Sequence, residues 1–151
     1  MTGLALHGAR DLPVAFRHPL RVYWEDTDAG GIVFYANYLK FFERARTEWL
    51  RHLGVEQQAL RERCGAMFIV SETRVRYHAP ARLDDLLDLT VAVRASGQAS
   101  LNLVQQAWRG RTLVAEGEIR IACVDSGTLR PRRIPSEVLH ALDESRPMNA
   151  S

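Results

Sequence analysis

Lysine is almost missing from this chain: of its 20 basic residues, only Lys40 is a lysine. The remainder are arginines, whose planar guanidinium groups suit bidentate contact with phosphate or carboxylate, although a biased genome composition produces the same usage. Charge of one sign is also scarce. A formal net charge of +2 is too small to mark a nucleic-acid-binding face. The two cysteines, Cys64 and Cys123, have neither the spacing of a metal site nor that of a disulfide scaffold. His7, His18, His52, His78 and His140 show no metal-ligand spacing, so no metal or bound cofactor is implied. No apolar run approaches the length of a membrane span, and no repeat, low-complexity tract or inter-domain linker is visible. The start of the chain lacks a basic-then-apolar leader layout, which leads us to expect a cytoplasmic protein. With 151 residues, 46% of them hydrophobic, the chain reads as a single domain over 1–151 with a sizeable core. Residues 1–15 and 145–151, which carry no sustained period, are expected to be mobile arms.

What is present is a clear succession of periods. From Pro19, Leu20 to Glu25 alternates as a strand with Leu20, Val22 and Trp24 on one face. Tyr38, Phe41, Phe42, Ala45, Trp49, Leu50 and Leu53 recur at helical spacing, with Asn37 placed as an N-cap and Gly54 as the stop. A shorter amphipathic helix, Glu56 to Arg63, follows. Met67 to Asp125 then reads as strands separated by turns at Ala79-Pro80-Ala81, Ser96-Gly97, Arg109-Gly110-Arg111 and Asp125-Ser126-Gly127. In the first of these strands, Ile69, Ser71, Thr73, Val75 and Tyr77 share one face. The last, Leu113 to Val124, is the longest alternating run, and placed at a sheet edge it would need covering. Turns without intervening helices predict antiparallel hairpins. A short helix over Ser136 to Leu142 closes the pattern. The expected fold class is α+β, one antiparallel sheet curled around one apolar helix.

The junction between the first strand and the long helix holds the most chemistry. In Asp26-Thr27-Asp28-Ala29-Gly30-Gly31, two carboxylates and two glycines lead into the start of a helix. Glycine permits φ > 0 or close approach of a ligand, and the helix start offers unpaired N–H groups and positive dipole. An acidic side chain therefore faces an anion-binding element. Asp28 alone would be read as a turn-forming or capping aspartate, and Asp26 as a residue that closes the turn or points its charge into solvent.

The segment Tyr23-Trp24-Glu25-Asp26-Thr27-Asp28-Ala29-Gly30-Gly31-Ile32-Val33, with Asn37-Tyr38-Leu39, Phe42-Glu43-Arg44-Ala45-Arg46 and Tyr77-His78-Ala79-Pro80-Ala81-Arg82-Leu83-Asp84-Asp85, resembles the 4-hydroxybenzoyl-CoA thioesterase family. It is most similar to the Tol–Pal system-associated acyl-CoA thioesterases within it. The resemblance implies a hotdog fold and hydrolysis of a short, medium or aromatic acyl-CoA. It also implies edge-to-edge association into a homodimer or homotetramer. By the same resemblance Asp28 is the catalytic carboxylate and the backbone N–H of Tyr35 polarises the thioester carbonyl. Members of the Tol–Pal-associated branch commonly carry histidine where Tyr35 stands, and tyrosine does not titrate near neutrality. Asp28 then either attacks the carbonyl or removes a proton from water.

For substrate binding the candidates are Gly31 and Asn37 at the turn and Arg74, Arg76 and Arg94 for the phosphates of CoA. The run Arg130, Arg132, Arg133 is a further basic candidate. Glu43 and Arg46 have the spacing of a helix-surface ion pair, with Glu43 a minor catalytic alternative. The contrasting functional class is a non-catalytic module that binds acyl-CoA or acyl carrier protein near the Tol–Pal machinery.

Overall fold

The computed structural model describes residues 12–145. Strand β1 (Phe16–Arg21) leads through a 3₁₀ turn at Trp24–Asp26 into helix α1 (Asn37–His52), followed by α2 (Gln57–Cys64). Strands β2 (Ala66–Tyr77), β3 (Leu86–Ser96), β4 (Ser100–Arg109) and β5 (Thr112–Asp125) come next, and α3 (Ser136–Ser145) ends the described chain. All pairings are antiparallel and the sheet order is β1-β3-β4-β5-β2. This α+β arrangement, one long helix against one sheet, is the hotdog layout expected from the sequence. The expected mobile arms fall mainly on residues 1–11 and 146–151, outside the described residues. Ala15 is docked, its N–H donating to the Val91 carbonyl, and Ser145 belongs to α3. None of the helices among the described residues is long and apolar enough to cross a membrane.

The helical spacing of aromatic residues explains why α1 lies where it does. Tyr38, Phe41, Phe42, Ala45, Trp49 and Leu50 form its buried face. Full burial of side chains of this size contributes about 1.5–3 kcal/mol each before chain entropy is subtracted. They meet Leu87, Leu89, Val91, Leu101, Leu103 and Ile119 of the sheet in one core. Gly117 sets the closest approach: a Cβ there would lie 3.2 Å from a ring carbon of Phe42. Gly54 (φ 83°) ends α1 in the left-handed conformation, as its position predicts.

Four expectations need correction. The first strand starts at Phe16, with Pro19 inside it opposite Asp88; β1 is an edge, where a missing N–H is tolerated. Leu20 and Val22 are buried as expected, but Trp24 has left the strand and is exposed. Strand β2 contains a bulge between Val70 and Glu72, so Val70 opposite Ile121 keeps the inward phase of Thr73, and Ile69 and Ser71 do not. Finally, the long strand β5 is interior, and the sheet edges are β1 and β2.

Candidate active site

The turn before α1 is a small hairpin. Thr27 bridges Val33, the Asp28 N–H donates to Ile32 O at 2.8 Å, and the Phe34 N–H donates to Asp26 O at 2.9 Å. Val33 donates to Ala81 O, and Ile32 bridges Arg82, which fastens the hairpin to the segment after β2. Asp26 is buried, 7% exposed, and its Oδ2 accepts the Tyr23 N–H at 2.8 Å. It closes the turn, as the sequence suggests. Asp28 is exposed at the tip, with Oδ1 accepting the Gly30 N–H at 2.8 Å. A Cβ on Gly30 would stand 3.2 Å from that oxygen. Gly31 takes φ 80° and its N–H returns to Asp28 O at 3.0 Å, so the conformational role expected of a glycine is met here.

The two peptide groups between this hairpin and the helix have their carbonyls occupied. Phe34 O accepts the Asn37 N–H at 2.9 Å. Tyr35 O accepts the Tyr77 hydroxyl at 3.0 Å and the Tyr38 N–H at 3.4 Å. In a trans peptide the N–H points opposite to its carbonyl. The amides of Tyr35 and Ala36, on those same two peptides, are therefore fixed in direction, and neither has a hydrogen-bond acceptor among the described residues. They stand at the positive end of α1. Such an arrangement can stabilise an oxygen that gains negative charge.

Asn37 is not the N-cap. Ala36 occupies that position without a side-chain cap, and Asn37 is the first helical residue. Its Nδ2 instead donates to Asp26 O at 2.8 Å, tying the helix start to the hairpin that carries Asp28. Neither this tie nor the Tyr77 to Tyr35 bond, 42 residues apart, has a signature in local sequence. Aromatic rings surround the amides: Phe34 against Tyr35 at 4.8 Å, Tyr35 against Tyr77 at 6.2 Å and Tyr38 against Tyr77 at 5.6 Å. Burial pushes the Tyr38 phenol up to about 12, and a smaller burial effect raises Tyr77. Both hydroxyls are therefore neutral donors at physiological pH.

The other candidates lie elsewhere. Arg74 and Arg94 share the Glu118 carboxylate at 3.9 and 3.1 Å, and Arg76 stands opposite Glu116. By the alternation of β2 and β5, these groups occupy the sheet face opposite α1. Arg132 is structural, its guanidinium donating to Cys64 O at the end of α2. Glu43 and Arg46 do not pair with each other as expected. Glu43 accepts the Thr47 hydroxyl at 3.3 Å, while Arg46 Nη1 turns inward to Gln105 Oε1 at 3.0 Å. Among the described residues no group of three or more His, Cys, Asp or Glu could hold a metal ion. A groove of about 790 Å³ lies between the end of α1, α2 and the start of β2, and none of its lining residues belongs to the Asp28 hairpin.

Known proteins resemble this chain in sequence and fold. Residues 22–142 match the model of the Thioesterase-like superfamily. An acyl-CoA thioester hydrolase, YbgC, of Escherichia coli is 45% identical over 125 residues, covering 82% of this chain and 92% of that protein. The acyl-CoA thioesterase YbgC of Haemophilus influenzae is 43% identical over 123 residues, covering 82% and 90%. The crystal structure of a probable thioesterase from Bartonella henselae superposes with a TM-score of 0.74 at 31% identity, covering 79% of this chain and 98% of that one. The match over residues 22–142, with relatives 43–45% identical over four fifths of this chain, places this chain in the thioesterase-like superfamily.

Proposed function

We propose that the protein hydrolyses the thioester bond of acyl-CoA, releasing a free acid and CoA. The observation that carries this reading is the pair of directed amides at Tyr35 and Ala36, at the helix start into which the hairpin of the exposed Asp28 leads. The thioester oxygen sits on the Tyr35 N–H, aided by Ala36, where charge develops as the carbonyl carbon becomes tetrahedral; one such donor is worth roughly 3–4 kcal/mol of barrier. Asp28 either takes a proton from the attacking water or attacks the carbon itself, expelling CoA thiolate and leaving a mixed anhydride that water opens. Gly31 keeps the hairpin flank open, since a Cβ there would meet nothing within 4 Å, and Asn37 holds the two halves of the site together. Arg74, Arg76 and Arg94 offer the phosphates of CoA a cluster of guanidinium groups on the other face of the sheet. Single turnover in heavy-oxygen water tests the anhydride route: label in Asp28 marks an anhydride opened at the Asp28 carbon, whereas water adding at the acyl carbon on either route puts the label in the acid alone.

The site is open on one side. Phe34, Tyr35 and Tyr77 are exposed, Tyr35 by 62%, and Val70 and Leu39 continue an apolar strip along the unpaired edge of β2. A second copy pairing through β2 would cover this strip and wall the site, which supports a homodimer as the working unit, with a homotetramer as a further assembly. The test of function is thiol release from a panel of acyl-CoAs and an acyl carrier protein thioester, which shares the same reactive arm. Turnover of the CoA esters supports the reading; tight binding without thiol release would replace it with a binding module.

A further inference from the structure

A second set of unused donors lies farther along α1. The indole N–H of Trp49 is buried, in a residue 1% exposed, and has no hydrogen-bond partner among the described residues. A buried donor left in this state is costly and calls for an acceptor. Trp49 lines a cavity of about 160 Å³ between α1 and strands β2, β4 and β5, whose apolar wall includes Val70, Leu101 and Ile121. Arg46 lines the same cavity. Its guanidinium is half-buried and, among the described residues, is bonded through Nη1 to the neutral Gln105 amide and not to a carboxylate. Gln105 is in turn held by donating its Nε2–H to Phe42 O at 2.9 Å. Burial lowers the Arg46 pKa against the opposing pull of Glu43, yet it stays charged at any ordinary pH.

A second groove adjoins this cavity on the side nearer the start of α1. Arg46, Glu43 and Val70 also line a groove of about 390 Å³ that reaches Leu39 and Thr73, one turn into α1. The inward residues of β2 run alongside, from Tyr77 through Thr73 to Val70. From the Ala36 amide to Arg46 is ten helical residues, about 15 Å of axis at 1.5 Å per residue. An extended alkyl chain gains roughly 1.3 Å per carbon from bonds of 1.5 Å, so Arg46 stands about ten to twelve carbons from the thioester, and Trp49, three residues farther along the helix, about three more. Donors gathered at the far end of an apolar groove select for an oxygen there.

Resting on the acyl-CoA reading above, we infer that the Arg46 and Trp49 cavity receives the distal end of a medium-length acyl chain bearing a neutral oxygen, a hydroxyl or keto group. A carboxylate fits less well, because Glu43 faces the same groove. The test compares kcat/KM for decanoyl-CoA with that for its ω-hydroxy and ω-carboxy counterparts, in the native chain, Trp49→Phe and Arg46→Leu. One hydrogen bond gained by a buried donor predicts roughly tenfold preference for the hydroxy ester, reduced in either variant while decanoyl-CoA turnover is kept within a few-fold. Equal rates on the three esters in the native chain would overturn the inference and leave the thioesterase reading intact. Preference for the carboxy ester would overturn the neutral-oxygen assignment. Absence of turnover on every ester would sink the underlying reading and the inference with it. Should Trp49→Phe fail to fold, the native ratio and Arg46→Leu decide alone.

Discussion

Asn37 offers the sharpest perturbation, because its observed role and its expected one call for opposite results. As an N-cap, asparagine is interchangeable with aspartate. In the structure its amide instead donates to Asp26 O at 2.8 Å from the first position of α1, and a carboxylate has no proton to donate. Asn37→Ala removes one neutral hydrogen bond while Asp26 O keeps the Phe34 N–H at 2.9 Å, so no carbonyl is orphaned and the loss is about 1 kcal/mol. Asn37→Asp loses the same bond and sets a charged acceptor against a carbonyl, costing about 1–3 kcal/mol, offset by roughly 0.3–1 kcal/mol from a negative charge at a helix start. The expected order at pH 7 is native, then Ala, then Asp. On acidification below the carboxyl pKa the aspartate regains a proton and the Asp variant recovers relative to Ala. Urea unfolding midpoints at constant slope measure this directly, and thiol release reports the accompanying loosening of the Asp28 hairpin as a fall in kcat. A variant Asn37→Asp as stable as the native chain would refute the tie and restore the capping role.

Three further outcomes follow from the same geometry. Tyr77→Phe leaves the Tyr35 carbonyl only the Tyr38 N–H at 3.4 Å and should lower kcat roughly tenfold, a fraction of the loss from removing an oxyanion donor, with stability changed by less than about 1 kcal/mol; unchanged kcat would separate Tyr77 from the positioning of these amides. For Tyr38, whose phenol is pushed up to about 12, the unfolded chain ionises near pH 10 while the folded one stays protonated. Its contribution is thus complete below pH 10 and lost as pH rises towards 12, by roughly 2–3 kcal/mol, and Tyr38→Phe should abolish that part of the alkaline loss seen in unfolding midpoints. Val70→Lys, at a side chain 48% exposed on the free edge of β2, should convert a dimer to monomer by light scattering and lower activity with it; a variant that stays dimeric would move the interface elsewhere.

The architecture was largely readable because its signals are local. Aromatic residues at helical spacing define α1 within one residue at each end, expected over Tyr38 to Leu53 and found over Asn37–His52. Alternation identified β3, β4 and β5. It failed where the period was interrupted: Ser71 adds a residue to β2, so counting by twos assigns Ile69 and not Val70 to the inner face. Strand order was equally hidden, since β5 alternates in the same way whether it has one neighbour or two, and only pairing shows that β2 is an edge. At the site, Asp28, Gly31 and the start of α1 were legible because they adjoin in sequence. The hydroxyl that holds Tyr35 O and the glutamine that draws Arg46 inward come from strands 42 and 59 residues away, and no spacing rule connects them.

The acidic group at the hairpin tip carries the greatest weight. Asp28→Asn preserves shape and keeps an oxygen able to accept the Gly30 N–H, while removing the charge that attacks or accepts a proton. With the variant shown to be folded and to bind acyl-CoA as the native chain does, thiol release should fall by a hundredfold or more, on the order expected for loss of an acid–base or nucleophilic group. Turnover within a few-fold of native would contradict the assignment of Asp28 and, with it, the mechanism.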